Sequence, residues 1–230
     1  MTRVTIVIPV KDEEAGLEYL LSDFERSLPI KKYDVNFIFV IDERTNDNSR
    51  HYASKLSHNI IDQKGSHGKG DAIKQAKQTL EGIDSDIVVF LDADGSYSFD
   101  GVCSLISPLE RGEADVTSGS RFLGQRGKPE GMSGLHYFGN LLLSATSSLR
   151  NRRKISDLCT GLWAFTYSSI TTMKISSSGF DLEAEIAGKV RKNKLRHKEI
   201  PVVWSQRKGG KSKLRSLTDG GIIFLRILRT

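Results

Sequence analysis

Val88-Val89-Phe90-Leu91-Asp92-Ala93-Asp94 is the stretch that decides how this chain folds. Its apolar residues predict the interior of a buried strand, which ends by presenting two carboxylates two positions apart. Two ionised Asp side chains at one strand end repel each other unless a cation lies between them. Mg²⁺ or Mn²⁺ carrying a diphosphate meets that need, because these ions bind through one or two carboxylates and phosphate oxygens. The alternative is a turn with two solvated acids, since a D-x-D pattern is short enough to recur by chance.

The length and composition fit one ordinary globular domain. The chain has 230 residues, of which 38% are hydrophobic and 27% charged, enough for one continuous core. Cys103 and Cys159 lie far apart without metal-ligand spacing, so we predict reduced thiols in a cytoplasmic protein. Residues 4–10 predict a first strand and not a signal peptide. No stretch approaches the ~20 apolar residues that span a bilayer.

The net charge of +6 is unevenly distributed along the chain. Positive residues crowd into three segments, at 150–154, 189–198 and 207–215. Such basic patches attract phosphates, which belong to nucleic acid, to lipid head groups or to a phosphorylated substrate. Charge alone does not choose among these three.

Strand-like and helical patterns alternate through the first half of the chain. The predicted strands there are 4–10, 35–41, 59–61 and 87–91, and the predicted helices are 15–28 and 71–80. Alternation of this kind predicts an α/β fold with a mostly parallel sheet and helices on both faces. The later predicted elements are strands at 114–119, 163–167 and 199–204, helices at 141–149 and 182–190, and a mobile glycine-rich loop at 124–134. Without a linker or repeat, we expect one catalytic domain over 1–215, followed by an amphipathic segment over 216–230.

Three polar clusters follow predicted strands, at residues 9–14, 42–49 and 92–96. Ligands of open α/β sheets bind beyond the carboxyl ends of the strands. Because all three clusters meet at that edge, the sequence favours one metal–diphosphate site over a solvated turn.

Spaced motifs in the chain resemble the family 2 glycosyltransferases with the GT-A (Rossmann-like) fold. The motifs are Pro9-Val10-Lys11-Asp12-Glu13, Asp42, Gly68-Lys69-Gly70-Asp71-Ala72, Asp92-Ala93-Asp94 and the basic segment 207–214. The ending Arg207-x-x-Gly210-x-Ser212-Lys213-Leu214, with Gly119-Ser120-Arg121 and Gly179-Phe180-Asp181-Leu182-Glu183, resembles one branch in particular. That branch transfers a sugar from a nucleotide to polyprenyl (dolichyl or undecaprenyl) phosphate, as dolichyl-phosphate mannose synthase does. The resemblance covers residues 3–217.

The resemblance implies a role for each matching residue. The nucleotide-sugar donor is expected at Pro9, Lys11, Glu13, Val40, Asp42, Lys69, Asp92, Ala93 and Asp94. The metal, Mg²⁺ or Mn²⁺, is expected on Asp92 and Asp94; the acceptor phosphate on Arg121, Arg207 and Lys213; and catalysis on Asp94, Arg121 and Arg207. Asp42 stands where the family accepts the ring N–H of the base. Lys11 and Asp12 replace the usual Tyr and Asn, and Asp42-Glu43-Arg44-Thr45 replaces Asp-Asp-Gly-Ser, so base preference stays open. The alternative for Lys69 is a solvated lysine at a helix N-terminus.

The chemistry of the acceptor independently favours a phosphate. A sugar hydroxyl needs a general base at neutral pH, whereas a phosphate is already anionic and needs cations to meet an anionic donor. Arginine suits bidentate phosphate contacts, and the chain offers Arg121 and Arg207. Residues 220–229 predict an interfacial helix too short to span a membrane, and basic residues add ~1 kcal/mol each near an anionic surface.

We therefore predict an inverting, metal-dependent glycosyltransferase of protein glycosylation, peripheral on the cytoplasmic face of a membrane, with no nucleic-acid partner. UDP-glucose, UDP-N-acetylglucosamine and GDP-mannose remain possible donors, with UDP slightly favoured. The loop at 124–134 is expected to close over the site and exclude water.

Three alternatives stay open. A family 2 enzyme acting on a sugar hydroxyl would use Asp157 or Glu183 as base, although Glu183 and Glu185 cannot both face one substrate and are expected to be scaffold. The others are a sugar-nucleotide pyrophosphorylase and a non-enzymatic basic module that binds membrane or nucleic acid. The resemblance implies that His136 lies near the position of a second phosphate-binding arginine, and the alternative is a surface histidine. Trp163 and Trp204 are expected in the core or at the acceptor groove.

Overall fold

The computed structural model of the protein describes residues 1–124, 127–210, 213 and 216–230. The strands are β1 (Arg3–Val10), β2 (Asp34–Asp42), β3 (Ile60–Gln63), β4 (Ile87–Leu91), β5 (Val116–Ser120), β6 (Leu162–Thr166) and β7 (His197–Pro201). The helices are α1 (Glu14–Arg26), α2 (Ser49–Leu56), α3 (Lys69–Leu80), α4 (Phe99–Glu110), α5 (Gly134–Asn151), α6 (Tyr167–Thr172), α7 (Leu182–Lys192) and α8 (Ser216–Arg229), with a 3₁₀ turn at Pro29–Lys32. Of the predicted motifs, Lys211, Ser212, Leu214 and Arg215 lie outside the described residues, as do two positions of the 124–134 loop.

The strands of the described chain form one sheet in the order β3-β2-β1-β4-β6-β5-β7. All of them run in one direction except β6, which pairs antiparallel with both β4 and β5. The predicted mostly parallel α/β architecture is therefore confirmed. The chain winds outward from β1 to β3 and then returns to place β4 on the other side of β1. The strand order thus reverses between β1 and β4, which is where open α/β sheets bind ligands.

Helices cover both faces of the sheet, as the alternating pattern predicted. One core lies under α1 and α4 and includes Leu17, Phe39 and Phe99, which are fully buried. The other lies under α3 and α7 and includes Ile73 and Ile186. Every residue of β4 is buried, as expected for a strand with helices on both sides.

Several element boundaries differ from the prediction. α5 begins at Gly134, where Ser133 accepts a hydrogen bond from the His136 N–H at 3.2 Å, so the predicted loop ends in a helix. The strand predicted at 199–204 runs instead over His197–Pro201. Helices α2, α4 and α6 were not predicted. In α2 only Ser49 and Ala53 are buried, so an apolar periodicity is missing.

α1 packs so closely on the loop after β4 that only glycine fits between them. A Cβ atom at Gly16 would lie 2.6 Å from the Asp94 Cα, which is backbone and cannot move aside. The backbone of Asp94 is therefore held against α1 at the carboxyl edge of the sheet.

Candidate active site

A cavity of about 820 Å³ opens at the point where the strand order reverses. Its floor is made by the loops that follow β1, β2 and β4, and its walls include α3, α5, α7, α8 and the segment before α8. The predicted site residues that line it are Pro9, Lys11, Glu13, Asp42, Lys69, Asp92, Ala93, Asp94, Arg121, Arg207 and Lys213. Val40 does not line it, because the alternation along β2 points this side chain into the fully buried core below α3.

Asp92 and Asp94 lie at the end of β4, as predicted. The Asp92 Oδ1 atom is 2.6 Å from the Lys69 Nζ atom. A Cβ atom at Gly161 would lie at or within 3.0 Å of all three carboxyl atoms of Asp92, so residue 161 must be glycine for this carboxylate to occupy its place. The Asp94 Oδ1 atom accepts a hydrogen bond from the Ser96 N–H at 3.0 Å.

Lys69 bridges the D-x-D sequence to α7. Its Nζ atom lies 2.7 Å from the Glu183 Oε1 atom as well as contacting Asp92, and its side chain is only 13% exposed. Burial opposes its charge, but the two carboxylates outweigh this and raise the pKa of Lys69 well above its ordinary value. Lys69 is thus not a solvated lysine. Glu183 orients it, which agrees with the scaffold role expected for that glutamate.

Glu185 faces away from the cavity, as the two-residue spacing from Glu183 predicted. Its carboxylate accepts hydrogen bonds from the N–H groups of Ser176 and Ser177. The segment that precedes α7 is therefore anchored by Glu185, while Glu183 on the same helix lines the cavity.

The carboxylate of Asp42 lies among basic side chains. Arg44 donates to Asp42 Oδ1 from its backbone N–H and its Nε, both at 2.9 Å, and to Oδ2 from Nη2 at 2.6 Å. The Lys11 Nζ is 3.7 Å from Oδ1, and the His67 Nδ1 is 3.4 Å from Oδ2. The hydrogen bonds from Arg44 hold the pKa of Asp42 well below its usual range.

The loops after β1 and β2 are tied together by side-chain-to-backbone hydrogen bonds. Asp12, whose φ of 47° is unusual for a residue other than glycine, accepts from the Asn46 N–H at 2.8 Å. The Glu13 N–H donates to Ser49 Oγ at 2.9 Å, and the Glu14 N–H donates to Asp47 at 3.0 Å. These bonds fix the positions of Lys11 and Asp42 relative to each other.

Glu13 forms ion pairs that hold the basic segment at the cavity. The Arg207 Nη2 atom contacts its two carboxylate oxygens at 2.6 and 2.7 Å, and the Lys213 Nζ atom contacts Oε1 at 2.7 Å. The Lys208 N–H donates to the Asp94 carbonyl at 2.9 Å, so this segment runs directly beside the D-x-D loop. The predicted donor and acceptor residues are therefore neighbours.

Arg121 forms a buried ion pair with Asp157. Its Nε and Nη2 atoms donate to the two Asp157 oxygens at 2.7 Å, and Nη2 also donates to the Cys159 carbonyl at 2.8 Å. The Asp157 side chain is 0% exposed. Burial opposes the charge of Arg121, but Asp157 outweighs it and raises the pKa of Arg121. Among the described residues, no acceptor is hydrogen-bonded to the Arg121 Nη1 group, and Arg121 lines the cavity.

The carboxylates of Asp92 and Asp94 suit a hard divalent cation such as Mg²⁺ or Mn²⁺ in their donor chemistry. The described part of the chain contains no group of three or more His, Cys, Asp or Glu residues that could hold a metal. An ion bound here would therefore need ligand oxygens from outside the protein, which a nucleoside diphosphate supplies.

The sequence left the positions of some aromatic and histidine residues open, and it gave other cavity residues no role. His136 and Trp204 line the cavity, whereas Trp163 is a core residue whose indole N–H donates to the Thr160 carbonyl at 3.2 Å. Arg44 and His67 were not assigned roles, although Arg44 stands in the predicted motif after β2. The single signal for Gly161 was its place just before β6.

Comparisons with known proteins agree with this geometry. A sequence profile described as Glycosyl transferase family 2 matches residues 5–173. Glycosyltransferase AglJ of Haloferax volcanii is 30% identical over 229 residues, which cover 98% of this chain and 71% of that protein. The low-salt glycan biosynthesis hexosyltransferase Agl6 of the same organism is 27% identical over 218 residues, covering 94% of this chain and 51% of that protein.

A dolichol-phosphate mannosyltransferase of Pyrococcus furiosus is 26% identical over 226 residues, covering 94% of this chain and 60% of that protein. The chain therefore spans between 51% and 71% of the lengths of these three relatives. Such relatives are consistent with the branch that the motifs indicated.

A solved structure gives the fold. Glucosyl-3-phosphoglycerate synthase from Mycobacterium tuberculosis, in complex with Mn²⁺ and UDP-glucose, superposes with a TM-score of 0.71 at 18% identity. The match covers 99% of this chain and 77% of that chain, and it confirms the predicted GT-A fold. In the part of the chain that the structure describes, no helix is long and apolar enough to cross a membrane.

Proposed function

The chain belongs to glycosyl transferase family 2, and on this premise we propose that it transfers a sugar from a nucleoside diphosphate to a polyprenyl (dolichyl) phosphate with inversion. The acceptor phosphate oxygen attacks the anomeric carbon on the face opposite the leaving diphosphate. The chain's task is to bring two anionic reactants together and to stabilise the charge that develops on the leaving group.

The donor is expected to lie along the floor of the cavity. Asp42 and Lys11 stand at its nucleoside end, and the D-x-D sequence stands at its diphosphate end. Asp92 and Asp94 are the residues that would hold Mg²⁺ or Mn²⁺, and the ion would offset the charge of the leaving diphosphate. Lys69, fixed by Glu183, holds Asp92 in place on the side facing α3.

The observation that carries the phosphate acceptor is the pairing of the cavity's carboxylates. Of the carboxylates that line the cavity in the described part of the chain, Glu13, Asp42, Asp92 and Glu183 each contact a lysine or an arginine, and Asp94 is the one proposed to face the metal. Asp157, which the alternative would use as a base, is fully buried against Arg121. A carboxylate whose oxygens accept from a cation is poorly placed to take a proton from a hydroxyl. An acceptor that is already ionised needs no such base.

Cations that line the cavity beside the D-x-D loop fit an incoming phosphate. Arg207 uses Nε on the Gly209 carbonyl at 2.8 Å and Nη2 on Glu13, and no described acceptor is hydrogen-bonded to its Nη1 group. The Lys213 ammonium donates to Glu13 and to the Asp12 carbonyl at 3.0 Å, so its described partners use two of its three N–H groups. Arg121 contributes its Nη1 group in the same way. Glu13 thus orients two of these cations without occupying all their donors.

An exposed apolar surface beside the cavity fits the lipid part of the acceptor. On α5, Leu135, Phe138, Leu142 and Leu149 are 61%, 70%, 66% and 83% exposed. Their spacing of three, four and seven residues places them on one side of the helix. We call these four residues the apolar face of α5.

α8 packs beside α5 and continues this surface. Its exposed apolar residues are Ile222, Phe224, Leu225 and Leu228. Leu135 of α5 and Ile223 of α8 line the cavity itself, so the apolar surface and the cavity are continuous. A polyprenyl chain lying between the two helices would bring its phosphate to the basic wall.

The same surface suits a lipid bilayer with anionic head groups. Arg152, Lys154 and Arg229 are exposed at the ends of α5 and α8. Basic side chains beside an apolar helical face are typical of interfacial segments, because they meet acidic head groups while the apolar residues enter the acyl boundary. We propose that residues 216–230 and α5 together rest on the membrane. The cytoplasmic side of that membrane stays a prediction.

The experiment is a transfer assay with sugar nucleotides, Mn²⁺ and two acceptors that differ only in the phosphate, a polyprenyl phosphate and the corresponding polyprenol. Transfer is expected to the phosphate alone. Arg207→Ala is expected to lower kcat/KM by about 10²–10³-fold, the usual effect of removing a donor that stabilises developing charge. Lys208→Ala is the matched control, because Lys208 lies over the Tyr19 ring and does not line the cavity. Transfer to polyprenol, or an Arg207→Ala enzyme as active as Lys208→Ala, contradicts the proposal.

A family 2 enzyme acting on a sugar hydroxyl is the second candidate, and Glu183 is the observation that favours it. This glutamate lines the cavity, and burial raises its pKa although Lys69 opposes the shift. Glu183→Gln separates the two functions. A hydroxyl-acting enzyme would lose activity entirely, whereas the proposed enzyme is expected to lose only the part that depends on the position of Lys69, about tenfold.

A further inference from the structure

We propose that Asn140 is a positioning residue for the transfer reaction, because it holds the two groups that fix Arg121 at the cavity. The inference rests on the proposed function, in which the Nη1 group of Arg121 binds the acceptor phosphate. It is carried by the hydrogen bonds that Asn140 makes on the inner side of α5.

α5 buries polar side chains where a surface helix normally buries apolar ones. Four of its five buried residues are polar, namely Asn140, Ser144, Ser147 and Asn151. An amphipathic helix usually turns its apolar side to the core, whereas the apolar face of α5 is exposed. Buried polar groups need hydrogen-bond partners inside the protein, so the inner side of α5 is built to bind another polar segment.

That segment is residues 155–159, between α5 and β6. Ser144 Oγ accepts a hydrogen bond from the Leu158 N–H at 2.9 Å and donates to Asn140 Oδ1 at 3.2 Å. Asn140 Oδ1 also accepts from the Cys159 N–H at 3.2 Å. Positions 140 and 144 are one helical turn apart, so the two side chains bind the segment side by side.

The amide nitrogen of Asn140 reaches the buried ion pair. Because two donors fix its Oδ1 atom, the NH₂ group points the other way, and Nδ2 donates to Asp157 Oδ1 at 2.6 Å. The Asn140 side chain therefore contacts both Asp157 and Cys159. These are the two residues whose oxygens accept hydrogen bonds from the Arg121 side chain.

Asn140 supplies the last hydrogen bond that the Asp157 carboxylate can accept. A carboxylate has about four lone-pair positions, two on each oxygen. Oδ2 accepts from the backbone N–H and the Nε of Arg121, and Oδ1 accepts from the Arg121 Nη2 and from Asn140. Asp157 is 0% exposed, so water does not readily replace a missing donor. Without Asn140 the carboxylate is expected to turn toward another donor, and Arg121 turns with it.

The experiment is steady-state transfer with polyprenyl phosphate and a sugar nucleotide, each varied in turn, for the wild type, Asn140→Leu and Asn151→Leu. Leucine keeps the shape of asparagine and removes its hydrogen bonds. Asn151→Leu is the matched control, because Asn151 is equally buried on the inner side of α5 and its described hydrogen bonds reach only Ser147.

The expected result is a change in the use of the acceptor alone. Asn140→Leu should raise the KM for polyprenyl phosphate by about tenfold, the usual effect of removing a group that orients a ligand-binding side chain. The KM for the sugar nucleotide should stay within about twofold of the wild type. Asn140→Ala, with Asn151→Ala as its control, provides the same comparison if leucine does not fit, because the smaller side chain avoids overpacking.

The outcomes separate this inference from the proposed function. A higher KM for polyprenyl phosphate in the variants at position 140 alone supports the inference. An unchanged value, two KM values that rise together, or equal effects at positions 140 and 151 overturn it and leave the transfer function standing. Failure of both variants at position 140 to fold, while those at 151 fold, also overturns it, since a structural role then suffices. If the wild type transfers no sugar to polyprenyl phosphate, the proposed function fails and the inference fails with it.

Discussion

Replacing Gly161 by alanine is expected to remove most of the activity by moving a single carboxylate. The added Cβ atom would lie at or within 3.0 Å of every carboxyl atom of Asp92, whereas carbon prefers neighbours at about 3.5–4.0 Å. The backbone at Gly161 cannot retreat, because its N–H donates to the Tyr97 hydroxyl and its carbonyl accepts from the Asp92 N–H, both at 3.1 Å. The Asp92 carboxylate must therefore turn away by on the order of 1 Å and leave Lys69.

A displacement of that size at the reacting centre typically costs about 10²-fold in rate. Overpacking is expected to cost about 1–3 kcal/mol in stability as well, which lowers Tm by roughly 2–4 °C per kcal/mol for a chain of this length. The assay is kcat/KM for sugar transfer together with thermal unfolding. Gly101→Ala is the matched control, since a Cβ atom there meets its nearest neighbours at 3.8 Å. A folded Gly161→Ala protein with kcat/KM within twofold of the wild type would refute the role given to Asp92.

Three further perturbations follow from the contacts described. Lys69→Met leaves two carboxylates without their shared cation, so the free energy of unfolding in urea should fall by about 3 kcal/mol; an unchanged midpoint contradicts the bridge to Glu183. Burial lowers the pKa of His197 from 6.5 to about 3. Between these two values the unfolded chain binds a proton at His197 that the folded chain does not, so the free energy of unfolding falls as the pH drops from 6.5 toward 3. The free energy of unfolding, measured in urea between pH 7 and 4, should depend on pH with a slope that His197→Gln reduces by up to ~1.4 kcal/mol per pH unit. An unaltered slope in the variant would exclude His197 as its source. Leu142→Asp should weaken binding to anionic vesicles at least about tenfold without changing Tm, whereas Leu28→Asp, at a similarly exposed leucine outside α5, should not; equal loss in both counts against the apolar face of α5.

The sequence predicted the first half of the fold because strands there are continuous apolar runs. Ile87–Leu91 is buried at every position, and such a run admits few other structures. The sequence could then predict that the D-x-D sequence, Asp42 and Glu13 share one site, because the carboxyl ends of parallel strands lie at one edge of the sheet. The antiparallel direction of β6 could not be predicted, because strand pairing in the sheet is decided by contacts between residues far apart in the chain.

The contacts that shape the site were also beyond sequence reasoning. Lys69 and Glu183 are 114 positions apart, and nothing in either local pattern indicates that they meet. Arg121 was expected to bind phosphate, and its buried pairing with Asp157 depends on a loop 36 residues away. Arg44, in contrast, lies two residues from Asp42 and is one of the residues at which this chain differs from the family motif. That difference was the one local sequence signal for the contacts around Asp42.

Phosphorus NMR of the lipid product tests the central claim most directly. The protein, in Mn²⁺ with a sugar nucleotide and a polyprenyl phosphate in mixed micelles, should convert the lipid phosphomonoester into a phosphodiester as nucleoside diphosphate appears in equal amount. Asp94→Asn should leave both signals unchanged, since Asp94 is assigned to the metal and the leaving group. A wild-type reaction that consumes the sugar nucleotide while the lipid phosphomonoester signal persists would contradict the account.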